Sequence, residues 1–379
     1  ALARSARRGG VRAVVARHEA GAAFMADGYA RESGKIGVCC ATSGPGATNL
    51  ITGVACAYEN SIPMLVLTGQ PSLPTQGRGA LQDSSASGVD IAAMLRPCTR
   101  YSTVVSHVAQ VETQIINALM STMQDPHGPA HLAIPVDIQR HPLENAWPRV
   151  DLRARLDQAA GVEMLDEQAL RGMCGEIKRG RRVVMLLGAG AAEAIDSILT
   201  LAQALNAAIV TTPDGKGLIN ARHPLYRGVF GFAGHEAAAA ALRHDDVDLI
   251  LAVGTPLGEW TSGGWCDSIL NERLVHIGSS ELHLMRSPMA RLHVRGRIKT
   301  LFEYAMNLLR ATQTPPTPAP LLAKQAPYWV PELGADDAVP LKPQRLMAEL
   351  GRQCPYNTRF LADAGNSMAL AVHCFELHD

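Results

Sequence analysis

The chain has 379 residues, of which 47% are apolar, and it carries 35 basic and 35 acidic side chains with a formal net charge of zero. Its length exceeds that of a typical single domain, and its apolar content is sufficient for two or three hydrophobic cores. The balanced charge argues against nucleic acid and against an anionic membrane as partners, because both attract strongly basic proteins, so a small-molecule role fits better.

The first predicted elements are a β-branched strand, Val11–Val15, and a helix that begins at Glu19. Small and apolar residues follow Glu19, so its carboxylate is either an exposed group that complements the helix dipole or a buried group that needs a partner. Burial would raise the pKa of this carboxylate and make it a proton carrier near neutral pH. The spacing alone leaves both interpretations open, and His18 is expected to orient its neighbour rather than to titrate.

A second apolar strand, Ile36–Ala41, runs into a turn at residues 42–49, with the sequence Thr-Ser-Gly-Pro-Gly-Ala-Thr-Asn, and then into another helix. Gly44 and Gly46 permit unusual backbone dihedrals in this turn, and Pro45 stiffens it. No Gly-Lys-Ser/Thr follows, so the turn is not a phosphate-binding loop of that type. Further apolar strands are predicted at Met64–Thr68 and Ala130–Pro135. The alternation of such strands with helices predicts a parallel α/β sheet.

A second α/β unit begins at the apolar strand Val183–Leu187. Its other predicted strands are Ala208–Thr212, Asp248–Val253 and Arg273–Ile277. The sequence Gly-Ala-Gly at residues 188–190 could begin a dinucleotide-binding motif, but Glu193 replaces the third glycine and no acid stands near the expected ribose position. The sequence therefore predicts two successive doubly wound parallel-sheet domains and only a weak dinucleotide signal.

Residues 312–340 are rich in proline, which cannot continue a helix, and they are predicted to form an extended linker between domains. A predicted helix, Lys342–Arg352, and a predicted strand, Arg359–Ala362, follow this linker. The turn at residues 363–368 comes next, and this final stretch is typical of the start of a third domain.

The eight cysteines form no Cys-x-x-Cys pair and no alternating Cys/His pattern of the kind that binds metal. We interpret them as reduced core residues of a cytoplasmic protein. No apolar run approaches the roughly 20 residues that span a bilayer, and the first residues lack the apolar core of a signal peptide, so no membrane association is predicted. Because the first residue is not Met, the natural beginning is expected to be missing.

Three segments in this order resemble the pyrimidine-binding domain of thiamine diphosphate enzymes, nearest to the acetolactate synthase group. They are His18-Glu19, the turn at residues 42–49, and Ser-Ile-Pro-Met-Leu-Val-Leu-Thr-Gly-Gln at residues 61–70. The resemblance implies a pyrimidine-binding domain at 1–145 that is incomplete at its N-terminus, a middle domain at 146–311, the linker at 312–340 and a truncated pyrophosphate-binding domain at 341–379. The family's metal-binding motif, Gly-Asp-Gly followed by Asn-Asn, is absent from these residues, so no metal ligand is assigned.

The resemblance also implies roles for individual residues. Glu19 would be catalytic, because in the family the matching carboxylate hydrogen-bonds a ring nitrogen of the aminopyrimidine and favours the imino tautomer that removes the thiazolium C2 proton. Thr42, Gly44, Pro45 and Asn49 would lie against the cofactor. The alternative is that the loop residues only shape the turn.

Residues 77–83, Gly-Arg-Gly-Ala-Leu-Gln-Asp, match the family segment Gly-x-x-Ala-Phe-Gln-Glu. This match implies that Gln82 is a second catalytic residue, which faces the active site across a dimer. Leu81 replaces the usual aromatic residue and Asp83 is one methylene shorter than the usual Glu, so an acceptor other than pyruvate is expected. Because small and polar residues follow at once, a flexible surface loop remains the alternative.

The resemblance implies an acetolactate synthase-like enzyme that uses thiamine diphosphate and Mg²⁺, decarboxylates a pyruvate-like 2-oxo acid, and joins the remaining acyl unit to a second carbonyl compound. The alternatives are a 2-oxo acid decarboxylase without ligation and a non-catalytic or split subunit. The family's arrangement implies a homodimer or tetramer, or a second chain that supplies the pyrophosphate domain.

The resemblance argues against bound FAD. Family members that bind a flavin carry an arginine after the strand that matches Asp248–Val253, whereas this chain continues with Gly-Thr-Pro-Leu-Gly-Glu-Trp at residues 254–260. The strand near His276 is followed by Gly-Ser-Ser at residues 278–280 instead of the usual acidic pair. The middle domain is therefore expected to be purely architectural.

Overall fold

The computed structural model describes residues 10–142, 151, 154, 166–311, 334–355, 358–375 and 377. The chain divides into two compact units, residues 1–162 and 163–379. Each unit is built around a parallel sheet, which confirms the predicted α/β fold class. Within the described residues, no helix combines the length and the apolar character that crossing a bilayer would require.

The first unit contains a four-stranded sheet in the order β1-β2-β4-β3, and every neighbouring pair is parallel. The strands are β1 (Gly37–Ala41), β2 (Met64–Gln70), β3 (Tyr101–Val104) and β4 (Pro129–Pro135). The α-helices are α1 (Glu19–Ser33), α2 (Pro45–Asn49), α3 (Ile51–Glu59), α4 (Ile91–Leu95), α5 (Val111–Met123) and α6 (Val136–Arg140), with short 3₁₀ turns at Leu73–Thr75, Arg96–Cys98 and Val108–Gln110.

Both faces of this sheet are covered by helices. In β2, Met64 and Val66 pack with residues of α1, α3 and α4, whereas Leu65 packs on the opposite face with Leu132 and residues of α5. Coverage on both faces explains why β2 and β4 are apolar runs without polar alternation. This arrangement places the carboxyl ends of β1 and β2, and the turns that follow them, at one edge of the sheet.

Helices α1 and α3 approach each other closely at Gly53. A Cβ atom on Gly53 would lie 2.5 Å from the Cβ of Ala23, which is buried in α1. We expect Gly53→Ala to lower the free energy of unfolding by about 1–3 kcal/mol, because the two helices would have to move apart. Gly28, in α1, has open space at its Cβ position, so Gly28→Ala should instead stabilise by about 0.5–1 kcal/mol. Urea unfolding midpoints with shifts of the same sign in both variants would contradict this account.

The second unit contains a six-stranded parallel sheet in the order β10-β9-β8-β5-β6-β7. The strands are β5 (Val183–Leu187), β6 (Ala208–Thr211), β7 (Tyr226–Val229), β8 (Leu249–Val253), β9 (Leu274–Gly278) and β10 (Leu292–Arg295). The α-helices are α7 (Glu167–Arg179), α8 (Ile195–Leu205), α9 (Glu236–Arg243), α10 (Glu281–Leu284), α11 (Ile298–Ala311), α12 (Pro343–Gln353) and α13 (Asn366–Cys374), with 3₁₀ turns at Ala189–Ala194 and Pro213–Gly215.

The central strand β5 divides the second unit into two cores. Val183, Met185 and Leu187 face a cluster that includes residues of α7, α8 and α11, whereas Val184 and Leu186 face a second cluster with residues of α9. This alternation on a fully buried strand is the pattern of a doubly wound sheet.

Helix α13 is bound to loops of the second sheet at its C-terminal end. The Lys216 ammonium donates to the carbonyl of Ala371 over 2.9 Å, where it complements the negative end of the helix dipole. His235 Nε2 donates to the carbonyl of His373 over 2.8 Å. Helix α13, the second helix after the predicted linker, therefore packs within the same compact unit as the second sheet.

Two predicted strands are wrong. Residues 11–16 form no regular secondary structure, and Val11, Val14 and Val15 are exposed. The residues from Arg359 to Ala362 likewise form no regular secondary structure. A β-branched sequence favours extended backbone, but a strand also requires a neighbouring strand for its ladder hydrogen bonds, and neither segment pairs with one in the part of the chain that the structure describes.

The predicted linker, residues 312–340, falls mainly on residues 312–333, which lie outside the described residues. The predicted boundary between residues 145 and 146 lies outside them as well. The division into a pyrimidine-binding domain, a middle domain and the start of a third domain therefore stays a prediction.

Candidate active site

Glu19 is the first residue of α1. The preceding His18 caps this helix, because its Nδ1 accepts a hydrogen bond from the Ala20 N–H over 3.1 Å. The Glu19 side chain is partly buried, and its Oε2 accepts a hydrogen bond from Asn49 Nδ2 over 3.1 Å. The carboxylate predicted at the helix start thus has a specific partner 30 residues further along the chain.

The pKa of Glu19 is lowered, so the interpretation of this residue as a buried proton carrier with a raised pKa is not supported. The hydrogen bond from Asn49 and a backbone hydrogen bond hold the pKa of Glu19 below its usual value, and partial desolvation opposes them only weakly. Because hydrogen bonds to the charged form favour ionisation, Glu19 is an anion near neutral pH. It is suited to accept a hydrogen bond and not to donate a proton.

Replacing Asn49 should change the pKa of Glu19 in a graded way. Asn49→Ala should raise it, because the amide that favours the carboxylate is lost, and Asn49→Asp should raise it further by placing a like charge beside it. NMR titration of the Glu19 side-chain carboxyl carbon measures both shifts. Asn60→Ala is a matched control, because Asn60 donates instead to the Cys56 carbonyl. An unchanged Glu19 titration in both Asn49 variants would show that Asn49 does not set it.

The turn after β1 packs closely against Glu19 at Gly46. A Cβ atom on Gly46 would lie 2.7 Å from Thr42 Cγ2 and 3.3 Å from Glu19 Oε1. The close approach of the turn to Oε1 therefore requires glycine at this position. Thr42 and Pro45 are exposed at the surface of the same turn, so all the predicted residues of this segment are brought to one place.

Gln82 contacts the other end of this turn. The Oε1 atom of Gln82 lies 3.5 Å from Ser43 Oγ, and a Cβ atom on Gly44 would lie 2.9 Å from the Gln82 Cβ. Gly44 itself has φ +65° and ψ −129°, a conformation that favours glycine. The two predicted catalytic residues, Glu19 and Gln82, thus flank one turn within the first unit.

Asp83 links the residues before and after Gln82 through hydrogen bonds of its carboxylate. Its carboxylate accepts hydrogen bonds from the Ser85 hydroxyl (2.6 Å), the Gly77 N–H (2.9 Å) and the Ser85 N–H (3.0 Å), and these bonds lower the pKa of Asp83. Leu81 is 88% exposed. The segment that carries Gln82 is a surface loop that these hydrogen bonds hold at Asp83.

Sequence reasoning missed two residues of this site. Ser84 is fully buried, and its hydroxyl accepts a hydrogen bond from the Gly44 N–H over 2.7 Å. Gln70, at the end of β2, donates from Nε2 to the Ser84 carbonyl over 2.6 Å. The sequence offered one usable signal, since Gln70 is a polar residue at the end of the apolar strand β2.

No group of three or more His, Cys, Asp or Glu side chains that could hold a metal ion occurs in the described ranges. The chemistry available at this turn is therefore that of one anionic carboxylate and the neighbouring amides. These groups can accept and donate hydrogen bonds to a polar, nitrogen-containing ring.

The glycine turn after β5 is closed by backbone hydrogen bonds. The N–H of Gly188 donates to the Val253 carbonyl over 2.9 Å, and the N–H of Gly190 donates to the Gly254 carbonyl over 3.0 Å. Glu193, at the position of the third glycine, forms an ion pair with Arg297. A dinucleotide-binding turn instead directs such N–H groups at phosphate oxygens, so this geometry agrees with the weak dinucleotide signal.

Two parallel α/β units and a carboxylate beside a glycine-rich turn define a multidomain α/β protein with a candidate cofactor site at a sheet edge. The sequence model of the N-terminal TPP-binding domain of thiamine pyrophosphate enzymes matches residues 1–93, and that of their central domain matches residues 170–304. The chain belongs to the thiamine pyrophosphate enzyme family, which confirms the resemblance seen in the sequence. Thiamine pyrophosphate and thiamine diphosphate are the same compound, and it is the cofactor that these domains imply.

The curated relatives of this chain include acetolactate synthases. The chain is 27% identical to the "Probable acetolactate synthase large subunit" of Methanococcus aeolicus over 96% of its own length and 62% of the relative. It is 32% identical to acetolactate synthase isozyme 2 large subunit of Escherichia coli over 77% of its own length and 51% of the relative. It is also 34% identical to the "Probable 2-ketoarginine decarboxylase" of Pseudomonas aeruginosa, over 66% and 43% respectively. The chain spans less than two thirds of the length of each of these relatives.

Proposed function

We propose that this protein is a thiamine diphosphate-dependent enzyme that decarboxylates a pyruvate-like 2-oxo acid and joins the remaining acyl unit to a second carbonyl compound. The observation that carries the proposal is the anionic Glu19, which is held through Oε2 by Asn49 and lies beside the glycine-containing turn after β1. The similarity to acetolactate synthase large subunits supports the ligation step.

The residues around Glu19 fit the aminopyrimidine ring of this cofactor. Glu19 Oε1 would accept a hydrogen bond from a ring nitrogen, and its negative charge would stabilise a proton at that nitrogen. Asn49 would keep the carboxylate oriented through its hydrogen bond to Oε2. When bound, thiamine diphosphate supplies the nucleophilic carbon and accepts the electron pair released with carbon dioxide.

Gln82 would contact the second carbonyl compound rather than the cofactor. Its amide can donate and accept hydrogen bonds, so it would orient a carbonyl compound next to the cofactor without changing charge. Thr42, Gly44 and Pro45 would complete the wall of the site.

We further propose the assembly and cofactors that the family resemblance implies. Residues 1–145 would form the pyrimidine-binding domain, 146–311 the middle domain and 341–379 the start of a pyrophosphate-binding domain. Mg²⁺ would be held by residues of the pyrophosphate-binding domain, and the site would be completed in a homodimer or tetramer, or by a second chain. The middle domain would lack FAD, because residues 254–260 carry no arginine of the kind that the resemblance associates with a flavin. We also propose a cytoplasmic location, where cysteines stay reduced; only four of the eight cysteines, Cys39, Cys98, Cys174 and Cys374, are buried, so the interpretation of all eight as core residues is wrong.

A second candidate function is 2-oxo acid decarboxylation without ligation. The similarity to a 2-ketoarginine decarboxylase favours it, as do Leu81 and Asp83, which depart from the acetolactate synthase pattern beside Gln82. A third candidate is a non-catalytic or split subunit that needs a partner with the pyrophosphate domain.

Product analysis separates these candidates. The full-length protein would be incubated with thiamine diphosphate, Mg²⁺ and a panel of 2-oxo acids, with carbon dioxide release and organic products measured together. Acyloin-type products support the main proposal, whereas aldehydes alone support the simple decarboxylase. If no carbon dioxide is released from any 2-oxo acid and calorimetry shows no thiamine diphosphate binding, both enzymatic proposals are overturned.

A further inference from the structure

We propose that Ser84 is a positioning residue of this site, whose hydroxyl couples the Gln82 segment to the turn beside Glu19 and thereby sets the geometry for the second carbonyl compound. This inference rests on the proposed ligation function. It concerns a residue outside the motifs that carry the resemblance to the family.

The Ser84 hydroxyl makes hydrogen bonds in both directions. Its oxygen accepts from the Gly44 N–H over 2.7 Å, and its proton is donated to the Gln82 carbonyl over 3.0 Å. Gly44 and Ser84 are 40 residues apart in the chain, so one buried hydroxyl joins two separate segments. A buried N–H without an acceptor is unfavourable, and the Gly44 bond is therefore hard to replace.

Gln70 attaches the same segment to the sheet. It is 3% exposed at the end of β2, and its Nε2 donates to the Ser84 carbonyl over 2.6 Å. Because only the nitrogen of an amide can donate, this bond determines which way the Gln70 side chain is oriented. Ser84 is thus held through its backbone by a rigid strand, and it holds the two loops through its hydroxyl.

The Ser84 hydroxyl joins two residues, Gly44 and Gln82, whose backbones are in uncommon conformations. Gln82 has φ +56°, which is rare for a residue with a side chain, and Gly44 has φ +65°. Such conformations persist only where surrounding contacts hold them, and they concentrate at functional sites. The hydrogen bonds of Ser84 are the contacts that join these two positions directly.

The Ser84 hydroxyl contacts the turn at Gly44. Without the hydroxyl, Gln82 can relax to a negative φ, and its amide would leave Ser43. The pair of Glu19 and Asn49 lies at the other end of the turn and shares no hydrogen bond with Ser84. Loss of the hydroxyl should therefore weaken ligation while donor decarboxylation continues.

The test compares Ser84→Ala with Ser84→Cys and with Ser87→Ala in the full-length protein. Cysteine is nearly isosteric with serine and forms weaker hydrogen bonds, so it gives a graded change if the alanine variant folds poorly. Ser87 is an exposed serine of the same loop and serves as the control. The readouts are the ratio of ligated to unligated product, the KM for the acceptor, and backbone hydrogen exchange at residues 42–49 and 77–88.

We expect Ser84→Ala to lower the ligated fraction about tenfold, the size expected for one lost buried hydrogen-bond partner, with carbon dioxide release little changed. Hydrogen exchange should become faster in both segments, Ser84→Cys should lie in between, and Ser87→Ala should match the unsubstituted protein.

Two results would overturn the inference, and they are distinguishable. An unchanged product ratio in Ser84→Ala and Ser84→Cys, with normal carbon dioxide release, would overturn the positioning role alone. Absence of thiamine diphosphate-dependent carbon dioxide release in the unsubstituted protein would overturn the proposed function and the inference with it.

Discussion

Glu19→Gln is expected to lower the thiamine diphosphate-dependent turnover of the full-length protein by about 10²- to 10⁴-fold, the range typical of a lost acid–base group. The amide has the shape of the carboxylate but no negative charge, so it cannot stabilise a proton on a ring nitrogen beside Oε1. The fold should be unchanged, because Glu19 is only partly buried and the new amide oxygen can still accept the Asn49 hydrogen bond.

Glu167→Gln provides a matched control for this prediction. Glu167 is the first residue of α7 as Glu19 is of α1, and it is exposed, with only a weak ion pair to Arg171. Its substitution removes the same charge from the same helix position, and it should leave turnover unchanged. Steady-state carbon dioxide release measures both variants, with circular dichroism to verify the fold. Near-normal turnover in Glu19→Gln would refute the assignment of Glu19.

Acidification from pH 7 to pH 4 is expected to destabilise both units, because three histidines are buried in the neutral form. Burial lowers the pKa of His131, His235 and His276 to about 4 each. In the unfolded chain a histidine titrates near pH 6.5, so between these two values the unfolded state binds more protons. The contribution of each neutral histidine to the free energy of unfolding is complete above about pH 6.5. It is lost as the pH falls towards 4, at about 1.4 kcal/mol per pH unit for each histidine.

The hydrogen bonds of His131 show why a second proton is unfavourable. His131 Nε2 lies 2.8 Å from Thr68 Oγ1, and Nδ1 lies 2.9 Å from Ser102 Oγ, so the imidazole joins β2, β4 and β3. Ser102 donates its own proton to the Ala92 carbonyl, which makes Nδ1 the donor and Nε2 the acceptor. Protonation would turn Nε2 into a second donor and place a charge among fully buried groups.

Urea unfolding at several pH values between 7.5 and 4.5 tests this prediction. His131→Gln should be less stable than the unsubstituted protein at neutral pH, but its loss of stability on acidification should be smaller by the contribution of one histidine. His141→Gln removes an exposed histidine and should keep the original pH dependence. Equal pH dependence in all three proteins would show that buried His131 does not cause the acid sensitivity.

The parallel sheets were predictable because their signals are local. Apolar runs such as Val183–Leu187 and Met64–Thr68, each followed by a glycine-containing turn, are sufficient to indicate buried strands. The strand predicted at Val11–Val15 has the same composition but lies exposed without a pairing neighbour in the described residues. Composition predicts where a strand can form, whereas pairing depends on segments far away in the chain.

The α/β class, the start of α1 at Glu19 and the grouping of candidate residues in the turn at 42–49 could be predicted, because helix caps, turn residues and apolar periodicity act over a few positions. The charge state of Glu19 and the hydrogen bonds of Ser84 could not be predicted and are visible only in the folded chain. Both involve hydrogen bonds between residues 30 and 40 positions apart in the chain, from Asn49 to Glu19 and from Gly44 to Ser84. Such contacts form only when the fold has brought distant segments together, and they leave no periodic signal in the sequence.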